Sequence, residues 1–437
     1  MSIPTLQGLQ TALSGLLAGQ EEIDVTGHNI ANANTPGYSR QTAVLETSDP
    51  LKIAALSSIT GNGAQLGTGV TVEKLTRIRD MYLDGQYREQ SSALGSASTQ
   101  TSELQQAQGA FAEPSPAGLS ARLSAFWSAW SELASSPSSE AAKEGVVNAG
   151  TQVAGALNAL SASLSEVSAQ ASQHYAALAG KGGVVQEDAA QLAQLNGQIR
   201  LAEQAHQTPN DLLDRRDRLI DGLSELAQVK VTLQSDGTDT VHFGDAATAL
   251  VEGTTVTWPQ EMTSAAGGQI GQLIGLTAPA GQFASYGNAL DEVASALAKS
   301  VNALHTSTPF FKGASAATIA VAVTASQVQS SSTPAPGGND VAQGIAALRG
   351  GAAEQGYTAL VERVGGEVQG AQSSAHNAEA IVGVLGNRRQ SVSGVSLDQE
   401  MTNLISFQRG YQASARTLTT MDEILDTLIN HTGRTGL

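Results

Sequence analysis

The densest concentration of chemically capable side chains is Asp211, Asp214, Arg215, Arg216, Asp217, Arg218, Asp221 and Glu225. Paired carboxylates of this kind can in principle carry general acid–base chemistry. At helical spacing, however, Asp214, Asp217, Asp221 and Glu225 form one stripe with arginines interleaved. That pattern reads as a solvated, salt-bridged helix face. The histidines, His28, His174, His206, His242, His305, His376 and His431, are scattered and form no HExxH or other compact ligand spacing. Each is expected to be structural or on the surface. The glycines of 61–69 are not followed by GK[ST] and read as loop corners, and neither a GxSxG elbow nor SxxK occurs. Trp127 and Trp130 could make a ligand platform, but beside Phe126 at helical spacing they read as core. With no cysteine, thiolate nucleophiles, Cys-ligated zinc and disulfides are excluded. No catalytic residue, metal site or cofactor is assigned, and the chain does not read as an enzyme.

Without a reactive constellation, attention moves to the elements. The 437 residues allow two or three domains. Aromatics make up 4% and charged residues 14%, so cores must come from Leu, Val, Ile and Ala, which favours elongated helical packing. Forty acidic against 23 basic residues give a net charge of −17 with no basic run, which argues against nucleic acid or a membrane surface as partner. No stretch approaches the roughly 18 apolar residues of a membrane span. The N-terminal MSIPTLQGLQTALSGLL lacks the basic region and cleavage site of a secretory signal.

The two ends carry the clearest pattern. Ser2 can cap a first helix with Pro4 in its first turn. Apolar residues then recur as Leu6, Leu9, Leu13, Leu16, Ile23 and Ile30, interrupted at Gln20 and Gly27. So narrow a seam suits a partner helix rather than a broad core face. Asn32-Ala33-Asn34-Thr35-Pro36-Gly37-Tyr38 stops it, with Pro-Gly at the centre of a type II turn. Residues 39–80 read as extended, with corners at Gly61, Gly63, Gly67 and Gly69. From about 78 to 228 the pattern is helical, broken at Glu113–Pro116 and Ser135–Ser138. The helix over 210–226 should bury Leu212, Leu219, Leu223 and Leu226. Residues 229–258 alternate as a small β-meander, 282–305 is helical, 318–323 alternates, and 326–339 reads as an exposed loop. The last helix starts near Ser396, with Glu400 near a capping-box position. Leu397, Leu404, Tyr411, Leu418 and Leu425 recur every seven residues, and Phe407, Met421 and Leu428 fill most of a second row. The expected fold is mainly α with a smaller β portion: elongated, with first and last helices paired as an antiparallel coiled coil, a helical-bundle stalk and a β-meander in the middle. The expected divisions are a terminal assembly domain (1–60 with 395–437), a stalk (61–228 with 265–305 and 340–394) and a small β-rich outer region (229–264 with 306–339).

Residues 29–41, NIANANTPGYSRQ, resemble the signature of bacterial flagellar axial proteins, the rod, hook and hook-associated proteins. Gly394–Met401 and Tyr411–Arg416 are similar to the terminal helix of that superfamily. Phe126–Trp130 with Leu133-Ala134, Asp211–Asp217, and Gly267–Gly271 ahead of Val301–His305 resemble the hook-associated proteins of the hook–filament junction. The chain departs over 306–340, short where relatives often carry an outer β domain.

The resemblance implies a structural junction adaptor rather than an enzyme. It implies export, unfolded and without a cleaved signal, through the flagellar type III apparatus to an extracellular site at the distal hook. Implied partners are further copies of itself, the hook protein, the second junction protein on the filament side and an export chaperone on the C-terminal helix. The turn residues Asn29, Asn32, Asn34, Thr35, Pro36, Gly37 and Tyr38 become its family motif, and the two apolar rows its assembly interface. A secreted adhesin or enzyme anchored by a helical stalk, or another axial protein, would share the end pattern. Convergent Asp, Glu and His residues in the middle region would mark the enzyme, and the 126–134 and 211–217 segments argue against hook or rod. A helix of about 25 residues spans about 37 Å, but with a thin seam it is marginal alone in water. The ends are therefore expected to fray in free subunits and order on assembly. Limited proteolysis should trim both ends before cutting 80–230; equal resistance would contradict this.

Overall fold

The computed structural model describes residues 3–52, 65–333 and 337–431. Helix α1 (Ile3–Asn32) ends at the expected turn, where the Tyr38 N–H donates to the Thr35 carbonyl at 3.1 Å and Gly37 adopts φ +78°. That left-handed φ is what the third position of a type II turn requires. Strand β1 (Gln41–Thr47) follows, and a short pair, β2 (Leu51–Lys52) and β3 (Gln65–Leu66), precedes β4 (Val70–Arg77). β1 and β4 pair antiparallel with a register shift at Val44/Leu45. The expected cap Ser2 and corners Gly61 and Gly63 lie outside the described residues. At Gly69 φ is +113°, and a Cβ would collide with Ser14 Oγ, which accepts a hydrogen bond from the Val70 N–H at 3.2 Å. Gly69 thus lets the β1–β4 hairpin lie directly on α1.

The stalk is built from long helices: α2 (Met81–Phe111), α3 (Leu119–Ser135), α4 (Glu140–Ala179), α5 (Val184–Gln204) and α6 (Asn210–Leu226). Asp80 caps α2 by accepting from the N–H groups of Tyr82 and Leu83, and Ser139 caps α4 by accepting from Ala142. A four-stranded antiparallel meander follows in the order β5 (Val229–Leu233), β6 (Asp239–Phe243), β7 (Val251–Glu252) and β8 (Thr255–Val256). Then come α7 (Gly268–Thr277), α8 (Gln282–Leu304), the two-residue strands β9 (Phe311–Lys312) and β10 (Ala320–Val321), and α9 (Asp340–Ala346). The 42-residue α10 (Ala352–Ser393), about 63 Å long, returns along α2, and α11 (Leu397–Asp426) closes the chain against α1.

Two apolar cores hold the stalk. The larger gathers α2, α3, α4, α7, α8, α9 and α10 around Phe126, Trp127 and Trp130, which are core and not a platform. The smaller packs α5, α6 and α7 on the meander through Val185, Leu192, Ile220, Phe243 and Ile270.

Three local expectations change. On α6, Leu223 and Leu226 are buried, but Leu212 and Leu219 are only half-buried, while Asp214 and Arg216 are 6% and 4% exposed. The helix turns polar groups inward because charged partners wait there. The described part of 326–339 is not a free loop: Val328 is buried, the Ala342 N–H donates to the Ser330 carbonyl, and Asp340 accepts from Ser331 and Ser332. Glu400 forms no capping box with Ser396; its carboxylate is 2% exposed and points to α1.

Gly69→Ala should weaken the α1–hairpin contact by about 2 kcal/mol. Amide exchange should then speed up in β4 and the first half of α1 while α2–α8 keep wild-type protection.

Candidate functional site

The terminal helices meet along a row of small residues. A Cβ placed on Gly8 would lie 3.1 Å from Met421 Cε, one on Gly15 3.1 Å from Ser414 Oγ, and one on Gly19 3.5 Å from Tyr411 Cβ. As the α1 number rises its α11 partner falls, so the pair is antiparallel, and Asn29 with Glu400 continues the same register. On α11 the expected rows are the ones that approach α1: Leu404, Phe407, Tyr411, Leu418, Met421 and Leu425 are half-buried. Leu397, at the end of that row, is 49% exposed.

On α1 the facing row is Gly8, Gly15, Gly19 and Asn29, offset by one residue from the apolar row read in the sequence. Leu9, Leu16, Ile23 and Ile30 are half-buried beside it, and Leu13 is 43% exposed with Leu17 at 57%. Apolar periodicity marks the bulky face, whereas close approach to Tyr411 and Met421 selects the face without side chains. The side chains of Leu6 and Leu428 lie outside the described residues.

Asn29 is the centre of the site. It is 1% exposed, and all four hydrogen-bonding positions of its amide are used. Nδ2 donates to the Gln41 carbonyl at 2.9 Å and to Glu400 Oε2 at 3.1 Å. Oδ1 accepts from the Gln41 N–H at 2.9 Å and from the Tyr38 hydroxyl at 2.8 Å. A flipped amide would aim its oxygen at two acceptors, so the partners fix the orientation. Burial, and then the carboxylates Asp211, Asp214 and Glu400, raise the Tyr38 pKa, which keeps the phenol a donor. Asn32 shapes the turn by donating to the His28 carbonyl and accepting from Thr35 Oγ1. Pro36 and Asn34 are exposed, and the Pro36 carbonyl accepts from Arg218 at 3.4 Å. Arg40 reaches α11 through Gln399 at 2.9 Å, and its N–H donates to the Ser393 carbonyl.

The Asp/Arg cluster of α6 is the second half of the site: the expected salt bridges are there and Asp211, Arg215, Arg218 and Glu225 are exposed, but Asp214, Asp217 and Asp221 turn inward and do not form a solvated face. Asp214 accepts from the Ser39 N–H at 2.9 Å, Ser39 Oγ at 2.7 Å and Arg77 at 2.7 Å. Asp217 binds Arg77, Arg79 and Arg88 at 2.8, 2.9 and 3.2 Å. Asp221 binds Arg88 at 2.7 Å and Arg389 at 2.8 Å, and Asp84 binds Arg79 and Arg389. Four carboxylates meet four guanidiniums, joining α6 to the turn, β4, α2 and α10. Burial alone would raise the Asp217 pKa; Arg79, Arg77 and Arg88 outweigh it and hold it below the ordinary range. Burial works against the cations as well, yet Arg79 and Arg88 are both pushed up by the surrounding carboxylates. The positional spacing on α6 was readable, but the partners lie more than a hundred residues away, which is why exposure was misjudged.

Among the described residues no group of three His, Asp or Glu side chains could hold a metal ion, and no helix is long and apolar enough to cross a membrane. The arrangement ties α1 and α11 through Asn29, and the turn after α1 to β4, α2, α6 and α10 through the ion pairs.

The chain is 32% identical to flagellar hook-associated protein 1 of Bacillus subtilis over 99% of both chains. It belongs to the flagellar hook-associated protein 1 family. Residues 104–264 match the flagellar hook-associated protein FlgK helical domain, 388–431 the flagellar basal body rod FlgEFG protein C-terminal model and 9–38 the flagella basal body rod protein model. The last two meet in space at Asn29 and Glu400. Flagellar hook-associated protein 1 of Salmonella typhimurium is 29% identical over 56% of this chain and 42% of its own length. The flagellar hook junction protein FlgK from Burkholderia pseudomallei is similar over 51% of this chain and 43% of that one, at 22% identity and a TM-score of 0.43. Family membership makes the chain a structural component of the flagellar hook–filament junction and not an enzyme.

Because Asp217 is depressed in the folded state, its contribution is complete above the ordinary carboxylate value, about pH 4, and is lost as pH falls through its folded pKa. Asp217→Asn should cost about 3 kcal/mol at pH 7 and flatten the acid limb of stability, measured by urea unfolding across pH.

Proposed function

We propose that residues 1–60 with 395–437 act as the assembly domain of the junction, carried by a stalk of 61–228 with 265–305 and 340–394. The β-rich pieces 229–264 and 306–339 make its small outer region, the second of them lying across the larger core of the stalk. The observation that carries this is the division of labour on α1. Its small row is used within the subunit, while Leu13 and Leu17, with Leu397, Met401 and Ile405 on α11, stay 43% exposed or more. Rows of this kind are stable when buried. The cover is further copies of the same helix pair, arranged as a ring on the distal hook. In this reading Leu6, Leu9, Leu13, Leu16, Ile23, Ile30 and the α11 rows from Leu397 to Leu428 are the interface. The Asn29–Tyr38 turn sets the angle at which the pair leaves the stalk.

The partners that follow are the hook protein below, the second junction protein above, and an export chaperone that holds α11 by its apolar rows before assembly. Export without a cleaved signal to an extracellular site agrees with the absence of cysteine, since no cross-link can form in transit. Similarity to a hook-associated protein over 99% of the chain favours this reading over a hook or rod subunit, since the hook and rod relatives match over 16% and 17% of it.

A strain lacking the gene should make hooks without filaments, be non-motile and release flagellin to the medium. Complementation with Leu13→Asp should give a secreted protein with wild-type helix content that leaves hooks bare. Filaments growing normally on that variant would overturn the interface, and filaments on the deletion strain would overturn the junction role.

A further inference from the structure

His305, at the end of α8, is used by neither the joint nor the assembly rows. It is 1% exposed and sits between the rings of Trp130 and Phe310, at centroid distances of 6.3 and 5.8 Å. Its two nitrogens are engaged differently. Nδ1 lies 2.6 Å from the Thr308 carbonyl, an acceptor, and Nε2 lies 2.9 Å from the Gln329 N–H, a donor. Only the neutral ring protonated on Nδ1 satisfies both. The two partners sit near opposite ends of the segment running from 306 to 331. That segment lies across the larger core and inserts Phe310, Phe311, Ile319 and Val328 into it. Around its middle it is tied by Asn302, which exchanges hydrogen bonds with the Phe311 backbone, and by Asn158, which donates to the Ala316 and Ile319 carbonyls. Those two anchors are amides and do not titrate; a third is the Asp291 carboxylate, which accepts from the Ala316 N–H at 2.7 Å. At the Gln329 end the side chain binds the Ser307 N–H and the Ser331 carbonyl, so this end closes on itself through the imidazole.

We propose that His305 is a pH-operated latch: protonation of Nε2 sets two donors face to face and releases the 327–331 end of the strap, uncovering the Trp130–Phe310 face of the stalk. Charged and titratable groups on the surrounding elements are Arg122 and Glu132 on α3, Glu140, Lys143, Glu144, Glu166 and His174 on α4, Asp291, Glu292 and Lys299 on α8, Lys312 on the strap and Asp340 on α9. Among the described residues none forms an ion pair with His305, and the Asp340 carboxylate is engaged by Ser331 and Ser332. No carboxylate is therefore in place to receive the imidazolium. Burial moves the His305 pKa below its ordinary value, in spite of its backbone hydrogen bonds. The direction sets the pH window. The latch is fully closed above the free-imidazole value of about 6.5. Opening then grows about tenfold per pH unit as pH falls toward the depressed folded value, and levels off below it.

The test uses the full chain, with hydrogen exchange corrected for its intrinsic pH dependence. Between pH 7.5 and pH 5, protection across 327–331 should fall by about tenfold or more while α2 and α4 hold theirs. The His305→Gln variant, which cannot titrate, should show no such step even if its strap is looser at both pH values. Histidine NMR titration of the wild type gives an independent readout, with His305 expected below the free-imidazole value of about 6.5. Equal strap protection at both pH values, or a His305 that titrates at or above that value, would overturn the latch.

Discussion

One buried amide decides how this molecule is put together. Asn29 satisfies both donors and both acceptors with groups from three places: Tyr38 belongs to the turn, Gln41 to β1 and Glu400 to α11. A buried amide with an unmet position costs about 1–3 kcal/mol, so the three partners must arrive together or not at all. The two ends of the chain, 371 residues apart at this contact, are therefore registered by a polar fit as well as by the packing of Tyr411 and Met421 on the α1 glycines. Leu13 and Leu17 on α1 and Leu397, Met401 and Ile405 on α11 stay exposed outside that contact.

A charged network beneath Asn29 ties the turn to β4, α2, α6 and α10. Removing one member of a buried, balanced set leaves a charge without its partner. A change at α6 is therefore felt at the turn through Ser39, at β4 through Arg77, and at α10 through Arg389. Stalk and terminal pair share these side chains, so the angle between them is set by covalent geometry and ion pairs.

Much of the fold was legible in the sequence, and the misreadings share one cause. The Pro-Gly turn, the helix breaks at Glu113–Pro116 and Ser135–Ser138, the meander and the aromatic core follow from local rules, and the structure has all of them. The heptad rows of α11 were visible because Leu404, Tyr411, Leu418 and Leu425 are large. The facing row of α1 was hidden because Gly8, Gly15 and Gly19 contribute absence instead of bulk. Their spacing at 8, 15 and 19 was nonetheless the available signal. Asp214, Asp217 and Asp221 looked solvated because Arg77, Arg79, Arg88 and Arg389 are remote in sequence, and burial of an ion pair depends on the partner. The same holds for Glu400, whose partner is on α1, and for Val328, which is held by a strap that closes only in three dimensions.

The most direct test is a double-mutant cycle between Asn29→Ala and Glu400→Ala, read by hydrogen exchange in the second half of α1 and the first half of α11. If the buried amide ties the ends together, the two changes are strongly coupled, by about 1 kcal/mol or more, and the double variant is little worse than the worse single one. Additivity within about 0.5 kcal/mol would contradict the account, because the ends would then be held by something other than the shared joint.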